Sequence, residues 1–230
     1  PNNPTGANYS PETLQKIIDL AIEHNLVIFA DEIYDKLLLD GHKHTSIASL
    51  NSEVPMITFC GLSKNYMVPG FRVGWGIVSG DKNVLKDYIE AINKLLRARL
   101  SANHPEQYGI APSLLGDQSH LDLARKKLTN RRNITVEMLN SIPGISCVPP
   151  EGAFYAFPKL HNISNDAHWV SELIKETGVV VVPGNGCGQM PGTSHFRVVF
   201  LPPENILEKA YKAIAQFNEK YIEKYENSAR

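Results

Sequence analysis

The chain has 230 residues, 43% of them hydrophobic and 20% charged, with a formal net charge of -1. That length allows one large domain or two modest ones at roughly 150 residues per domain, with a core that needs no staples. No apolar run approaches the ~20 residues of a membrane helix. Balanced charge argues against a dedicated nucleic-acid binder, and three scattered cysteines (Cys60, Cys147, Cys187) argue for a reducing compartment rather than a disulfide framework.

The first residue is Pro1 rather than Met, and Pro1-Asn2-Asn3-Pro4-Thr5-Gly6 is a loop signal that reads like the middle of something. The chain is therefore expected to be a piece of a longer one. Ser10 caps a helix with Pro11 at its first position and Glu12 in its first turn, and Leu14, Ile17, Ile18, Ala21 and Ile22 form the apolar stripe. Residues 26–30 are continuously apolar and end on Asp31-Glu32, which suggests a strand covered on both faces, as in a parallel sheet. Residues 56–60 and 73–78 repeat the pattern, and this order of elements reads as an α/β sheet. From Asp81, apolar residues keep helical spacing through Val84, Leu85, Tyr88, Ile89, Ile92, Leu95 and Leu96. Pro105 and Pro112 punctuate a shorter helical segment, and residues 120–139 form another long helix with Leu121, Leu128 and Met138 inward. Gly116-Asp117 is the candidate boundary between a first domain, 1–116, and a smaller α+β domain, 117–230. In the latter, 153–157 and 195–201 read as strands, 167–176 as a helix, and 179–182 as a short buried strand ending at Pro183. Pro202-Pro203-Glu204 starts a last helix with Ile206, Leu207, Ala210, Ile214 and Phe217 on one face, and the charged tail after Tyr221 is expected to fray.

Chemistry gathers at the strand ends. Asp31 lies at the carboxyl end of a strand, where α/β sheets bind ligands. It reads either as a turn-initiating Asp or as a buried carboxylate that needs a cation. Tyr34 points into the same crevice or is a half-buried core aromatic. Gly61-Leu62-Ser63-Lys64 follows the second strand, and Lys64 reads either as an exposed lysine, the usual case, or as a desolvated one whose lowered pKa lets it attack a carbonyl. Arg72, between Gly70 and Gly74, is either a bidentate phosphate ligand or half of a surface ion pair. Arg197 sits among apolar residues in a strand and reads either as solvent-facing or as a fork for a carboxylate. His42 and His44 lack a third metal ligand at suitable spacing, and the glycine-rich segment 184–188 lacks a dinucleotide fingerprint.

Together these residues resemble the class I aminotransferases, pyridoxal 5′-phosphate (PLP) enzymes of fold type I. The likeness rests on Asn3-Pro4-Thr5-Gly6, Asp31 with Tyr34, Ser63-Lys64 through Gly70-Phe71-Arg72-Val73-Gly74, and Arg197, in the family's order. Residues 1–6, 29–36, 61–75 and 152–159 look closest to bacterial alanine aminotransferases of the glutamate–pyruvate type. The resemblance implies part of a large PLP domain, with a mainly parallel sheet and helices, plus a small C-terminal domain. Lys64 would carry PLP as a Schiff base and shuttle the α-proton. Asp31 would pair with the pyridine nitrogen, Tyr34 would donate to the phenolic oxygen, and Arg72 would hold the phosphate. Asn3 would touch the phenolic oxygen and orient Arg197, which would grip the substrate carboxylate. Gly61 departs from the serine of the best-known members three residues before the lysine, and Ser63 is a substitute phosphate contact.

The resemblance also implies a cytoplasmic homodimer acting on glutamate and pyruvate, without nucleic-acid or membrane partners. Aspartate or aromatic aminotransferases and C–S lyases on the same fold are the alternatives, and an effector-binding module of a transcription regulator is the rival from another class. The family's N-terminal half, with its phosphate-binding helix end, ring-stacking aromatic and cross-dimer tyrosine, would precede Pro1. The segment alone is therefore expected to be inactive and to leave one sheet face bare.

Overall fold

The computed structural model describes residues 1–225, in two compact units: Pro1 with Asn8–Leu123, and Asn2–Ala7 with the residues from Ala124 onward.

In the first unit, helix α1 spans Pro11–Glu23, and the Ser10 hydroxyl accepts from the Thr13 N–H at 3.3 Å, as its capping role requires. Strands β1 (Ile28–Asp31) and β2 (Met56–Gly61) pair in parallel, and β3 (Gly74–Ser79) pairs antiparallel with β2, so the expected parallel arrangement ends at β2. Leu14, Ile18 and Ala21 of α1 pack with Ile47, Val54 and Met56, against Ile28 and Ala30 of β1. Burying each large side chain there stabilises the unit by roughly 1.5–3 kcal/mol. Ile17 and Ile22 of the expected stripe face outward.

Because side chains alternate along a strand, Phe29 and Phe59 project on the face opposite Ile28 and Met56. Their rings meet edge-on at 5.8 Å, yet Phe29 is 56% exposed. That face is covered in part: Ile57, paired with Phe29, is buried and Tyr88 lies 6.1 Å from the Phe29 ring, while Phe59 stays 41% exposed. Helix α2 (Lys82–Arg99) repeats this: of its apolar stripe only Leu85 is buried, while Leu95 and Leu96 are exposed. Short helices α3 (His104–Gln107) and α4 (Ile110–Leu115) follow. The next helix, α5 (Ser119–Asn140), holds the division between the units after Leu123, and the turn at Gly116-Asp117 lies earlier, between α4 and α5.

In the second unit, β8 (Ser194–Val199) is the hub. Strands β5 (Tyr155–Ala156) and β6 (Lys159–Leu160) pair antiparallel with it, and the Phe196 N–H donates to the Pro158 carbonyl between them, so one register continues through both. Strand β4 (Ile145–Ser146) pairs with β6, and β7 (Val182–Pro183) pairs with β8. The expected strand over 179–182 shrinks to its last residue because β8 offers partners only to Val182 and Pro183; Val180 is exposed. Helices α6 (Asp166–Thr177) and α7 (Glu204–Tyr225) close the core, where Trp169 meets Phe196 at 4.9 Å and donates its indole N–H to Asn218. That bond removes the cost of a buried unpaired N–H. Ile206 of the expected α7 face is exposed, and Met138 of α5 is half-buried beside a buried Leu139. Helix α7 continues to Tyr225, and the rest of the tail expected to fray lies outside the described residues.

The segment Asn2–Ala7 joins this second unit through backbone bonds. The Glu151 and Gly152 N–H groups both donate to the Gly6 carbonyl at 3.0 Å. Gly6 has φ +69°, and a Cβ there would lie 2.4 Å from the Pro150 Cβ, so only glycine fits.

Candidate active site

The first unit places four of the expected residues near the carboxyl ends of β1 and β2. Tyr34 is buried, and the half-buried Lys64 holds its Nζ 5.9 Å from the centre of the Tyr34 ring. A bond that the sequence reading missed ties the two segments together. Asn65 is 1% exposed and donates to Asp35 Oδ1 at 2.5 Å. A carboxylate only accepts, so the amide nitrogen must face Asp35. Each partner is the immediate neighbour of a site residue, so this hydrogen bond links the two segments that carry Lys64 and Tyr34. The adjacency of Asn65 to Lys64 and of Asp35 to Tyr34 was the available signal.

Asp31 ends β1 on the face of Phe29, opposite Phe59. It is exposed, and its Oδ1 accepts from the Ile33 N–H at 3.2 Å. Of the two readings of Asp31, the structure shows the turn: the carboxylate is exposed, not buried, and caps its own turn. Ser63 is half-buried beside Lys64. Arg72 adopts the left-handed conformation, φ 55° and ψ 37°, and donates from Nη1 to the Pro69 carbonyl at 2.8 Å. A non-glycine residue there costs roughly 1–2 kcal/mol.

The serine-to-glycine departure at Gly61 has a steric cause. A Cβ at Gly61 would sit 2.9 Å from the Val73 carbonyl oxygen and 3.0 Å from the Gly74 Cα, so β2 and β3 approach too closely for serine. Neighbouring Glu32 is structural. Burial disfavours its charge, but hydrogen bonds from His44, Ser46 and the Ile47 N–H outweigh that and hold its pKa below the ordinary value. His44 is thereby engaged, and among the described residues no group of three metal-ligating side chains forms. Burial pushes the Cys60 thiol up to about 11 and the Cys147 thiol up to about 12, so neither is a ready nucleophile.

The second unit brings Asn3 to Arg197, whose Nη1 donates to Asn3 Oδ1 at 2.9 Å. The Arg197 Nε is buried without a hydrogen-bond partner, and the guanidinium carbon lies 5.1 Å from the centre of the Tyr155 ring. His195, two residues earlier, stacks on Phe157 at 4.8 Å and 4°. Gln189 donates to Asp166 Oδ2 at 2.6 Å, so its Oε1 faces His195 Nδ1 at 3.0 Å and fixes the proton on that nitrogen.

Burial, then the charge of Lys159, lower the His195 pKa from its ordinary 6.5; Asp166 opposes and His161 adds to the shift. The neutral ring is the folded form, so its stabilisation is complete above 6.5 and is lost as pH falls through the lowered folded value. The denaturant midpoint should therefore fall between about pH 7.5 and about pH 5.5, and less so in a His195→Asn variant, which keeps the N–H to Gln189. An equal fall in both proteins would contradict this.

Residues 1–214 match the family model for aminotransferase class I and II. The chain belongs to that family. Glutamate-pyruvate aminotransferase AlaA of Haemophilus influenzae is 45% identical over 227 residues, covering 96% of this chain and 56% of that protein. Among solved structures, an aminotransferase from Escherichia coli superposes with a TM-score of 0.90 at 44% identity, covering 95% of this chain and 55% of the other. Alanine aminotransferase from Pyrococcus furiosus gives 0.89 at 41%, covering 96% and 56%. This chain spans about half the length of the curated relatives it matches. The family is one of PLP-dependent transferases, and the mixed α/β architecture is that of fold type I.

The donor set of this aminotransferase chain fits PLP. The cofactor presents a basic ring nitrogen, a phenolic oxygen, an aldehyde and a phosphate, and the first unit offers a carboxylate, a phenol, an amine and a guanidinium at Asp31, Tyr34, Lys64 and Arg72.

Proposed function

We propose that this chain is part of an enzyme that carries out PLP-dependent transamination between an amino acid and a 2-oxo acid, with alanine and glutamate as donors and pyruvate and 2-oxoglutarate as acceptors. The first unit would be the C-terminal part of the large PLP-binding domain, and the second the small domain. The observation that carries the reading is the lysine after β2, half-buried with its Nζ 5.9 Å from the Tyr34 ring centre, in segments that the Asn65–Asp35 bond links. The relatives named glutamate-pyruvate and alanine aminotransferases support the choice of substrates.

When bound, PLP supplies an electron sink for the charge that develops at the substrate α-carbon. Lys64 would bind the cofactor covalently, and its Nζ would later take the α-proton and return it. Asp31 would keep a proton on the ring nitrogen by opposing its charge. Tyr34 would donate a hydrogen bond to the phenolic oxygen, and Arg72 with Ser63 would bind the phosphate. Arg197, oriented by Asn3, would grip the substrate carboxylate with a planar fork that a lysine could not reproduce. No described helix is long and apolar enough to cross a membrane. A cytoplasmic homodimer is part of the proposal, and three free cysteines are consistent with a reducing compartment.

The test is steady-state kinetics of the full-length protein with a panel of amino donors. Parallel double-reciprocal lines with alanine and 2-oxoglutarate, and a preference for alanine over aspartate and aromatic donors, are expected. A preference for aspartate or an aromatic donor overturns the substrate assignment, and no turnover with any donor overturns the activity.

A further inference from the structure

The second unit holds Arg197 in an unusual way. A half-buried guanidinium ordinarily pairs with a carboxylate, but no carboxylate of the described residues pairs with Arg197. One hydrogen bond to Asn3 and one aromatic face hold it instead. The difference matters chemically. A neighbouring carboxylate would neutralise the cation and compete with any incoming carboxylate. A ring face attracts the cation through its quadrupole and leaves the charge and the remaining N–H groups available.

The register explains why the ring is there. Tyr155 pairs with Val199, and Lys159 pairs with His195, in one continuing antiparallel ladder. Residues 155, 157 and 159 therefore share a face with 195, 197 and 199. Arg197 lies diagonal to Tyr155, and His195 lies diagonal to Phe157 by the same offset, a separation that long and aromatic side chains span. Both diagonals are filled, by Arg197 on Tyr155 and by His195 on Phe157. The Tyr155 ring is itself fixed, since it is buried and packs on Phe154 at 4.8 Å.

We infer that Tyr155 is a positioning residue for Arg197: its ring face fixes the guanidinium plane for a substrate carboxylate without neutralising the charge. The inference rests on the reading of Arg197 as the carboxylate fork.

The test compares a Tyr155→Phe variant of the full-length, PLP-loaded protein with the same variant carrying progressively fluorinated phenylalanines at that position. Fluorination drains the ring quadrupole at nearly constant shape, so folding and packing are held fixed. The readouts are KM and kcat for alanine, and the inhibition constant of propionate, a carboxylate without an amino group. KM and the inhibition constant should rise in step with fluorination, by about three- to tenfold across the series, with kcat nearly unchanged. Equal constants across the series overturn the role of Tyr155. An Arg197→Gln variant separates loss of the Tyr155 role from loss of the carboxylate fork itself. If it weakens propionate while the fluorinated series is flat, only the Tyr155 inference fails. If it leaves propionate binding unchanged, the carboxylate reading fails, and the inference with it.

Discussion

Replacing Lys64 with alanine in the full-length protein should lower transamination by about 10³-fold or more, within the range seen when a positioned proton-transfer group is lost, with the covalent attachment of PLP lost as well. Folding should hardly respond. Lys64 is half-buried at the end of β2, outside the cluster formed by Leu14, Ile18, Ala21, Ile47, Val54 and Met56. Side chains away from such clusters usually change stability by less than about 1 kcal/mol. Turnover and the denaturant midpoint, measured on the same preparation, check the pair of expectations. A variant that keeps a tenth of its activity would remove Lys64 from the chemistry.

The second large effect belongs to Asp31, where the turn and the charge can be separated. Its Oδ1 accepts from the Ile33 N–H, a bond worth roughly 0.5–1.5 kcal/mol. In Asp31→Asn the amide oxygen can still accept that bond, so the turn and the fold should be retained. The negative charge is gone. A contact ion pair at an effective dielectric of 20 is worth up to about 4 kcal/mol at 4 Å. Loss of most of that stabilisation lowers turnover by about 10²–10³-fold, with the unfolding midpoint almost unmoved. Asp31→Ala loses both the turn bond and the charge and should add a modest stability loss to the same fall in rate. Near-normal turnover in Asp31→Asn would show that the carboxylate serves only its turn.

These expectations could be framed from the sequence because the cofactor residues sit where local signals are strong. An apolar strand that ends on Asp31, and another that ends on Gly61 three residues before Lys64, mark the edge of a sheet without any knowledge of its partners. The helix cap at Ser10 is equally local. What stayed hidden depends on contacts between distant segments. The ring beneath Arg197 comes from the pairing of Tyr155 with Val199, and a strand's own sequence does not state its register. The Asn65–Asp35 bond spans two loops. The stripe on α2 shows why periodicity has a limit: it reports that one face is apolar, not that anything covers it, and Leu95 and Leu96 are exposed. The run 179–182 shows the complementary limit, since β-branched residues favour a strand but only a partner makes one.

Borohydride reduction of the full-length protein with PLP, followed by digestion and peptide mapping, decides whether Lys64 bonds the cofactor. A stable pyridoxyl label is expected on the peptide that contains Ser63-Lys64-Asn65. A label on any other lysine, or no label on a protein that binds PLP, would contradict it.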